Sequence, residues 1–208
     1  MTAQCATRGG SSYTSAMPPL PRRALPAETI ELARFLVGRL LVRRIDGRRV
    51  AGRIVETEAY PPGDPTGYFR PGLTTANAPL FGVRGTAYVR LVYGANFTLN
   101  VAADSQGTGA AVLIRALEPI EGVDVMRAHR PGAADRDLAR GPGRLCVALA
   151  IDAALSGLDL CAGRRLWLER GAGPAADIHV CTRIGLSRDM HRQLRFVERG
   201  SRFVSVSP

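Results

Sequence analysis

The stretch AGRIVETEAY, residues 51–60, forms the second half of a predicted β-hairpin. Asp46-Gly47 lies between this stretch and an earlier apolar-rich run, and an Asp-Gly pair in that place is a strong signal for a tight hairpin turn. The first strand is expected over residues 40–45 and the second over residues 50–57. The hairpin is therefore the first predicted element of a β-sheet.

Two carboxylates and a tyrosine stand near the end of the second strand. Because side chains alternate across a strand, Glu56 and Glu58 are expected on one face, with Tyr60 beside them. Pro61-Pro62 stops the strand directly afterwards. An acid and an aromatic ring at a strand end, beside a loop, suit catalysis. The alternative is a pair of solvated acids on an edge strand.

The composition is that of an ordinary globular protein, because 46% of the 208 residues are hydrophobic and 22% are charged. The length suits one domain. There is neither a run of about 20 apolar residues nor an apolar secretory segment, so a cytoplasmic protein without a membrane partner is expected, associated with the nucleoid if bacterial. The four cysteines and three histidines have no metal-ligand spacing, so neither a metal nor another cofactor is expected.

The formal charge is +10, and all 28 basic residues are arginine. Such a charge favours an anionic partner, above all a nucleic acid, and arginine makes planar bidentate contacts to phosphate. GC-rich coding is an alternative reason for the choice of arginine. Because the sequence contains no lysine, no side-chain amine is available for a Schiff base.

Short strands alternate irregularly with two or three helices, which predicts an α+β domain with a mainly antiparallel sheet. Residues 1–20 are rich in Ser, Thr, Gly and Pro and predict a disordered tail before a domain over residues 21–208. Helices are expected over residues 27–38, from Pro119 onward and over residues 145–151. Strands are expected over residues 86–93, 97–101, 109–117, 166–168, 177–180 and 195–197.

Three further places carry candidate contacts to a ligand. Arg115 ends an apolar run, and a buried charge there needs a carboxylate or a phosphate as partner. Tyr93-Gly94 interrupts two strand-like runs, so the ring is a candidate wedge or stacking platform, with packing at a sheet corner as the alternative. Gly141-Pro142-Gly143-Arg144 precedes a helical segment, where free backbone N–H groups would bind a phosphate.

Taken together, these motifs resemble the alkyladenine DNA glycosylase family, the 3-methyladenine DNA glycosylases of the mammalian type. Order and spacing agree from about residue 27 to the C-terminus. The matching pieces are residues 32–38, 53–60, 85–89, 93–94, 99–101, 112–119, 141–145, 167–171 and 183–185. The resemblance implies a single compact α+β domain with a curved, mainly antiparallel sheet and peripheral helices, similar to the C-terminal domain of methionyl-tRNA formyltransferases.

The resemblance also implies an activity: base-excision repair by hydrolytic removal of alkylated or deaminated purines such as 3-methyladenine, 7-methylguanine and hypoxanthine. The partner would be double-stranded DNA containing a damaged purine, whose nucleotide such enzymes flip out of the stack. The enzyme would be a monofunctional N-glycosylase that works as a monomer.

Several residues take roles by this resemblance. Glu58 would be the general base that activates water, and Tyr60 would stack on the flipped base. Tyr93 would be the wedge that fills the gap in the duplex. Asn100 would screen out normal guanine at the pocket edge, and Arg115 would hold the phosphate of the flipped nucleotide. Among the remaining positions, the expected contacts with the DNA backbone are Gly141, Gly143 and Arg144.

The chain departs from the family pattern at three positions. Tyr68 stands where the family has a histidine that forms the other pocket wall, Arg90 stands where it has a tyrosine, and Ala76 stands where it has an arginine before Asn77. Tyr68 and Arg90 are both expected to bind substrate. Arg90 would either point into the pocket, where it repels a cationic base, or turn outward to a phosphate.

Two other interpretations remain beside the glycosylase. The first is a basic DNA-binding protein of the same fold with weakened catalysis, favoured by Tyr68 and Arg90. The second is a formyltransferase C-terminal domain, which the absence of an obvious folate-binding half disfavours. Release of free hypoxanthine or 3-methyladenine from a duplex separates the three.

Overall fold

The computed structural model describes residues 17–69, 72–92, 94, 96–171 and 176–207, which form a curled antiparallel sheet and three α-helices. The helices are α1 (Thr29–Leu36), α2 (Val123–His129) and α3 (Pro142–Ala148). The strands are β1 (Leu40–Ile45), β2 (Arg48–Tyr60), β3 (Ala87–Val92), β4 (Asn96–Ala102), β5 (Ala111–Glu121), β6 (Leu166–Glu169), β7 (Ile178–Cys181) and β8 (Arg195–Glu198). Single 3-10 turns are at Arg22–Ala24, Ala78–Phe81, Asp135–Asp137 and Ala153–Leu155.

The sheet is built on β2, which is long enough to serve three neighbours. One edge of β2 pairs with β5, and the other edge pairs first with β1 and then with β8. The order is β3-β4-β5-β2-β1-β6, with β8 joined to both β2 and β7. Register shifts between β2 and β5 lie on both sides of Glu56. Irregularities of this kind increase the local twist of a strand, which helps the sheet to curl.

The two faces of the sheet carry different side chains. One face contributes Ala59, Val101, Val112 and Ile114 to the main hydrophobic core. The helices α1 and α3 contact the strands of this sheet, and α2 packs against α3. The opposite face carries Glu58, and we call it the Glu58 face. The candidate site therefore lies on the side of the sheet away from the main core.

The helix α1 shows why these residues fold locally as they do. The side chain of Glu28 accepts a hydrogen bond of 2.8 Å from the backbone N–H of Glu31, which caps the helix start. The buried side of the helix follows helical spacing, and its members are Thr29, Leu32, Ala33 and Leu36. The helix is anchored to β2, because the Thr57 hydroxyl donates to the carbonyl oxygen of Ala33 over 2.9 Å.

The predicted hairpin and the α+β class are confirmed. Asp46 and Gly47 both have positive φ angles, 48° and 79°, as a two-residue hairpin turn requires. The first strand has the predicted bounds, whereas β2 extends beyond the predicted range in both directions. The remaining strands agree with prediction to within a few residues. The resemblance to a formyltransferase domain stays a prediction.

The predicted helix start at Pro119 is wrong. Residue Pro119 lies within β5, where it pairs with Gly52, and the strand continues to Glu121. A register shift next to Gly52 accommodates a residue that lacks a backbone N–H. The turn into α2 is made by Gly122 at φ 66°, where a Cβ atom would lie 2.9 Å from the Arg49 carbonyl oxygen.

Part of the predicted N-terminal tail contacts the sheet. Pro19 forms a β-bridge with Glu169, and the N–H of buried Leu20 donates to the Leu168 carbonyl oxygen over 2.8 Å. Residues 1–16 lie outside the described residues. Within the described part of the chain, none of the helices has the length and apolar character needed to cross a membrane.

Candidate active site

The centre of the candidate site is Glu58, which is fully buried on the Glu58 face of β2. Its carboxylate accepts hydrogen bonds from the Tyr60 hydroxyl at 2.9 Å and from the backbone N–H of Ile184 at 2.8 Å, and it forms an ion pair with Arg115 Nη1 at 3.2 Å. Burial raises the pKa of Glu58, although Arg115, Ile184 and Tyr60 each oppose that rise. A fixed carboxylate with a raised pKa is suited to accept a proton.

Glu56 is also fully buried, but its carboxylate is occupied by structural partners. Its Oε1 atom accepts from Arg115 Nε at 2.9 Å, from Arg195 Nε at 2.8 Å and from the Ser205 hydroxyl at 2.8 Å. Its Oε2 atom accepts from the Ser205 backbone N–H. The interpretation of the two acids as solvated residues on an edge strand is wrong, because β2 has partners on both edges. Glu56 organises the groups around Glu58.

Arg115 lies between the two acids and links them. Its guanidinium donates through Nε to Glu56 and lies beside Glu58 through Nη1. Burial alone would lower the pKa of Arg115, but the two carboxylates raise it overall. The partner that a buried arginine needs is therefore a pair of carboxylates. Its expected role in holding a phosphate stays a prediction.

Tyr60 connects Glu58 to a second buried arginine. Burial and the neighbouring Glu58 carboxylate raise the pKa of Tyr60, so its hydroxyl stays protonated and can donate. The guanidinium carbon of Arg183 lies 4.6 Å from the centre of the Tyr60 ring, a cation–π contact. The same arginine donates to the Ala59 carbonyl oxygen at 3.1 Å. The ring of Tyr60 is thus fixed in position by Glu58 and Arg183.

Asp64 fixes the loop that follows β2. Its carboxylate contacts Arg183 Nη1 at 2.9 Å and Arg192 Nη1 at 3.0 Å, and it accepts a hydrogen bond of 2.9 Å from the N–H of Thr66. Burial raises the pKa of Asp64, but the hydrogen bonds from Thr66 and the contact with Arg183 lower it overall. This aspartate therefore remains charged and ties the 61–69 loop to Arg183.

A row of directly paired residues extends from Glu58 across three neighbouring strands. Glu58 pairs with Leu113, Leu113 pairs with Asn100, and Asn100 pairs with Tyr88. Directly opposed residues in antiparallel strands point to the same face, so Asn100 lies on the Glu58 face. Its amide Nδ2 donates to the Tyr88 carbonyl oxygen at 3.4 Å. The structure thus brings Asn100 toward the site.

Tyr68 packs on the same face. A cluster of Phe69, Leu80, Tyr88 and Ala111 is buried there, and both Tyr60 and Tyr68 pack against it. Phe69 anchors the loop, because a Cβ atom on Gly109 would lie 2.5 Å from the Phe69 Cβ. The guanidinium carbon of Arg90 lies 3.8 Å from the centre of the Tyr68 ring. Two of the three positions at which the chain departs from the family pattern, Tyr68 and Arg90, are therefore in contact.

The predicted DNA-contacting residues have different outcomes. Tyr93 lies outside the described residues. Gly141, at φ 142°, precedes α3, and Gly143 packs so closely that a Cβ atom there would lie 3.1 Å from the Asn96 Cβ. Arg144 is exposed, with its Nη1 3.9 Å from Asp137. The segment of residues 141–144 thus lies next to the start of β4, and its contact with DNA stays a prediction.

Sequence reasoning missed Arg183, Asp64 and Ser205 as parts of this network. Residues 183–185 are one of the pieces that match the family pattern, but no spacing signal connects Arg183 or Asp64 to Glu58. Ser205 carried no signal, because a single serine in the sequence gives no indication that its hydroxyl and its backbone N–H both donate to Glu56. In the part of the chain that the structure describes, no group of three or more His, Cys, Asp and Glu side chains could hold a metal ion.

Known proteins are similar to this chain over most of its length. The sequence pattern of the family described as "Methylpurine-DNA glycosylase" matches residues 23–202. A Paraburkholderia phytofirmans protein is 50% identical over 190 residues, covering 90% of this chain and 88% of its own length. A Mesorhizobium japonicum protein is 51% identical over 188 residues, and one from Methanocella arvoryzae 45% over 195.

All three relatives bear the name "Putative 3-methyladenine DNA glycosylase". The chain covers 90% of the Mesorhizobium protein and 96% of the Methanocella protein, and these two cover 90% and 91% of this chain. The range matched by the family pattern, residues 23–202, includes all eight strands described above. The chain belongs to the methylpurine-DNA glycosylase family, a family of DNA repair enzymes.

Proposed function

We propose that the chain hydrolyses the N-glycosidic bond of damaged purines, such as 3-methyladenine, 7-methylguanine and hypoxanthine, in double-stranded DNA. The observation that carries this proposal is the environment of Glu58: a fully buried carboxylate, fixed by two hydrogen bonds and an ion pair, beside the ring of Tyr60. A base inside a duplex cannot reach a buried carboxylate, so the nucleotide would have to be flipped out first.

Glu58 would act as general base. Its raised pKa favours removal of a proton from the attacking water, and its negative charge would stabilise the positive charge that develops on the sugar. Glu56 is less suited to this role, because four donors already occupy its two oxygens. Arg115 and Ile184 would keep the Glu58 carboxylate in its reactive orientation.

The flipped base would stack on Tyr60. Stacking on an aromatic face is tolerant of purine identity, which supports a range of several damaged purines as substrates. Arg183 lies against the Tyr60 ring, and its Nε and Nη2 atoms are buried without a hydrogen-bond partner among the described residues. Arg183 would hold the Tyr60 ring in place for this stacking. Asn100 would screen out normal guanine from its place on the Glu58 face.

Duplex binding would depend on the arginine-rich surface. A net charge of +10 supports salt-sensitive contacts to phosphates, and exposed Arg144 beside Gly141 and Gly143 is one candidate. Tyr93 would be the wedge that replaces the flipped nucleotide. The enzyme would work as a monomer, without a cofactor, in the cytoplasm or at the nucleoid.

The test is release of free base from a duplex with one hypoxanthine under single-turnover conditions, with an undamaged duplex as control. The Glu58→Gln variant keeps the shape of the side chain but removes the base, so excision should fall at least about 100-fold while duplex affinity stays near that of the parent protein. Excision above about a tenth of the parent rate would assign the role to another group. Binding without excision by the parent protein would support the alternative, a DNA-binding protein with weakened catalysis.

A further inference from the structure

Arg90 lies on the Glu58 face of the sheet. It pairs with Thr98 across β3 and β4, two residues along from the pair formed by Tyr88 and Asn100. Because side chains alternate along a strand, Arg90 points to the same face as Tyr88, whose partner Asn100 is in the row that begins at Glu58. The strand register therefore directs this guanidinium toward the site and away from the main core.

The Arg90 guanidinium is held against an aromatic ring of the site. Its central carbon lies 3.8 Å from the centre of the Tyr68 ring, the shortest cation–π distance among the described residues. Tyr68 packs against the same buried cluster as Tyr60. The contact therefore places a positive charge beside the aromatic side chains that would surround a flipped base. The Arg90 guanidinium also covers one face of the Tyr68 ring, and this face is the negatively polarised part of an aromatic side chain.

The positive charge of Arg90, unlike that of the other arginines in the site, is not balanced by a carboxylate of the described residues. Arg115 is balanced by Glu56 and Glu58, and Arg183 is balanced by Asp64. No carboxylate of the described residues lies within 4.0 Å of the Arg90 guanidinium. In the described part of the structure, this guanidinium thus has an aromatic contact but no neutralising acid.

The consequence concerns the charge of the substrate. A purine alkylated at N3 or N7 is positively charged while it is still attached to the sugar, whereas hypoxanthine is neutral. Hypoxanthine also keeps O6 and N7 as acceptors for guanidinium donors, and methylation of N7 removes one of them. We propose that the Arg90–Tyr68 pair makes this site selective for neutral purine lesions that carry a carbonyl group, and disfavours cationic alkylpurines. This inference rests on the proposed glycosylase function.

The experiment compares single-turnover excision of hypoxanthine and of 7-methylguanine from otherwise identical duplexes. Arg90→Gln removes the charge and should raise the 7-methylguanine to hypoxanthine rate ratio about tenfold, the scale expected for two charges in a partly screened pocket. Arg90→Lys keeps the charge and should leave the ratio within about twofold of the parent value.

The matched control is Arg44→Gln. Arg44 is exposed in β1, and its guanidinium carbon lies 5.7 Å from the Trp167 ring, so the change removes one charge and one cation–π contact outside the site. The ratio of the 7-methylguanine excision rate to the hypoxanthine excision rate should not change in this variant. Circular dichroism and thermal melting establish that each variant is folded before the rates are compared.

Two results would overturn the inference, and they differ from each other. If Arg90→Gln leaves the lesion ratio unchanged but weakens binding to every duplex and reduces the slope of log affinity against log salt by about one, Arg90 contacts a phosphate. If the parent protein excises neither base, the proposed function itself fails. Excision of both bases with a ratio that responds to Arg90→Gln, but not to Arg44→Gln, would support both proposals.

Discussion

Glu58 accepts hydrogen bonds from Tyr60 on the same strand and from Ile184 after β7, and it forms an ion pair with Arg115 on β5. Each donor stabilises the charged carboxylate, yet burial dominates and leaves the pKa of Glu58 above its ordinary value. The carboxylate must be ionised to accept a proton from water. Excision should therefore decrease as the pH falls through a midpoint higher than about 4.3, the pKa of an ordinary glutamate.

Tyr60→Phe gives a prediction about this pH dependence. The change removes a hydroxyl that lowers the pKa of Glu58 but keeps the aromatic face for stacking. With one stabilising donor lost, the pKa of Glu58 rises further, so the acidic limb of the pH–rate profile should move to higher pH. Single-turnover excision of hypoxanthine between pH 4.5 and 8 measures the midpoint.

The control for Tyr60→Phe is the excision rate at pH values above the acidic limb of the profile. There, Glu58 is ionised both in the parent protein and in the variant. The rates there should differ by less than about tenfold, the scale of one lost hydrogen bond. A limb that stays in place, or moves to lower pH, would contradict the assignment of Glu58 as the titrating base.

At the scale of elements, Glu56 joins three parts of the fold. Its carboxylate binds Arg115 of β5, Arg195 of β8 and Ser205 of the C-terminal segment. The segment is further attached because Arg140 Nε donates to the Val204 carbonyl oxygen at 2.7 Å. The C-terminal residues therefore hold the acid that in turn orients the Glu58 partner Arg115.

Glu56→Gln should lower the free energy of unfolding by about 3 kcal/mol, because it leaves two buried guanidinium groups with one neutralising acid fewer. Urea unfolding followed by circular dichroism measures the change. Glu31→Gln is the matched control, since Glu31 is exposed on α1 and its side chain has no ion pair among the described residues; its effect should stay below about 0.5 kcal/mol. Equal stabilities for the two variants would contradict the role of Glu56 as an anchor.

The strands and the two acids could be predicted from sequence because their signals are local. The Asp46-Gly47 turn, the alternation around Glu58 and the apolar runs are each contained in a few neighbouring residues. Pro119 was misassigned because proline is common at helix starts, whereas the bulged pairing with Gly52 is a tertiary feature. The contact between Arg183 and Tyr60 joins residues that no periodicity connects, so it could not be predicted.

At the scale of the whole molecule, the chain carries its positive charge on arginine alone. A side-chain amine could otherwise attack the sugar carbon, form a Schiff base and lead to strand cleavage. With no lysine in the sequence, the N-terminal amine is the remaining primary amine. The proposed enzyme should accordingly leave an intact abasic strand.

Reduction with borohydride tests this monofunctional behaviour. The protein is incubated with a duplex containing hypoxanthine in the presence of borohydride, and the products are separated on a denaturing gel. Free base and an uncut abasic strand are expected, without a covalent protein–DNA adduct. A glycosylase with an active-site lysine serves as the positive control, and a high yield of adduct with this chain would contradict the prediction.

The bond between Glu56 and Ser205, which joins positions 149 residues apart, has a consequence for biosynthesis. A ribosome releases the chain from its N-terminus, so β2 emerges long before β8 and Ser205. Until then, β2 has an open edge at Glu56, and both buried acids lack some of their donors. A nascent chain in which β8 and Ser205 have not yet emerged lacks these contacts, so the proposed activity would require the slow, long-range pairing of β8 with β2.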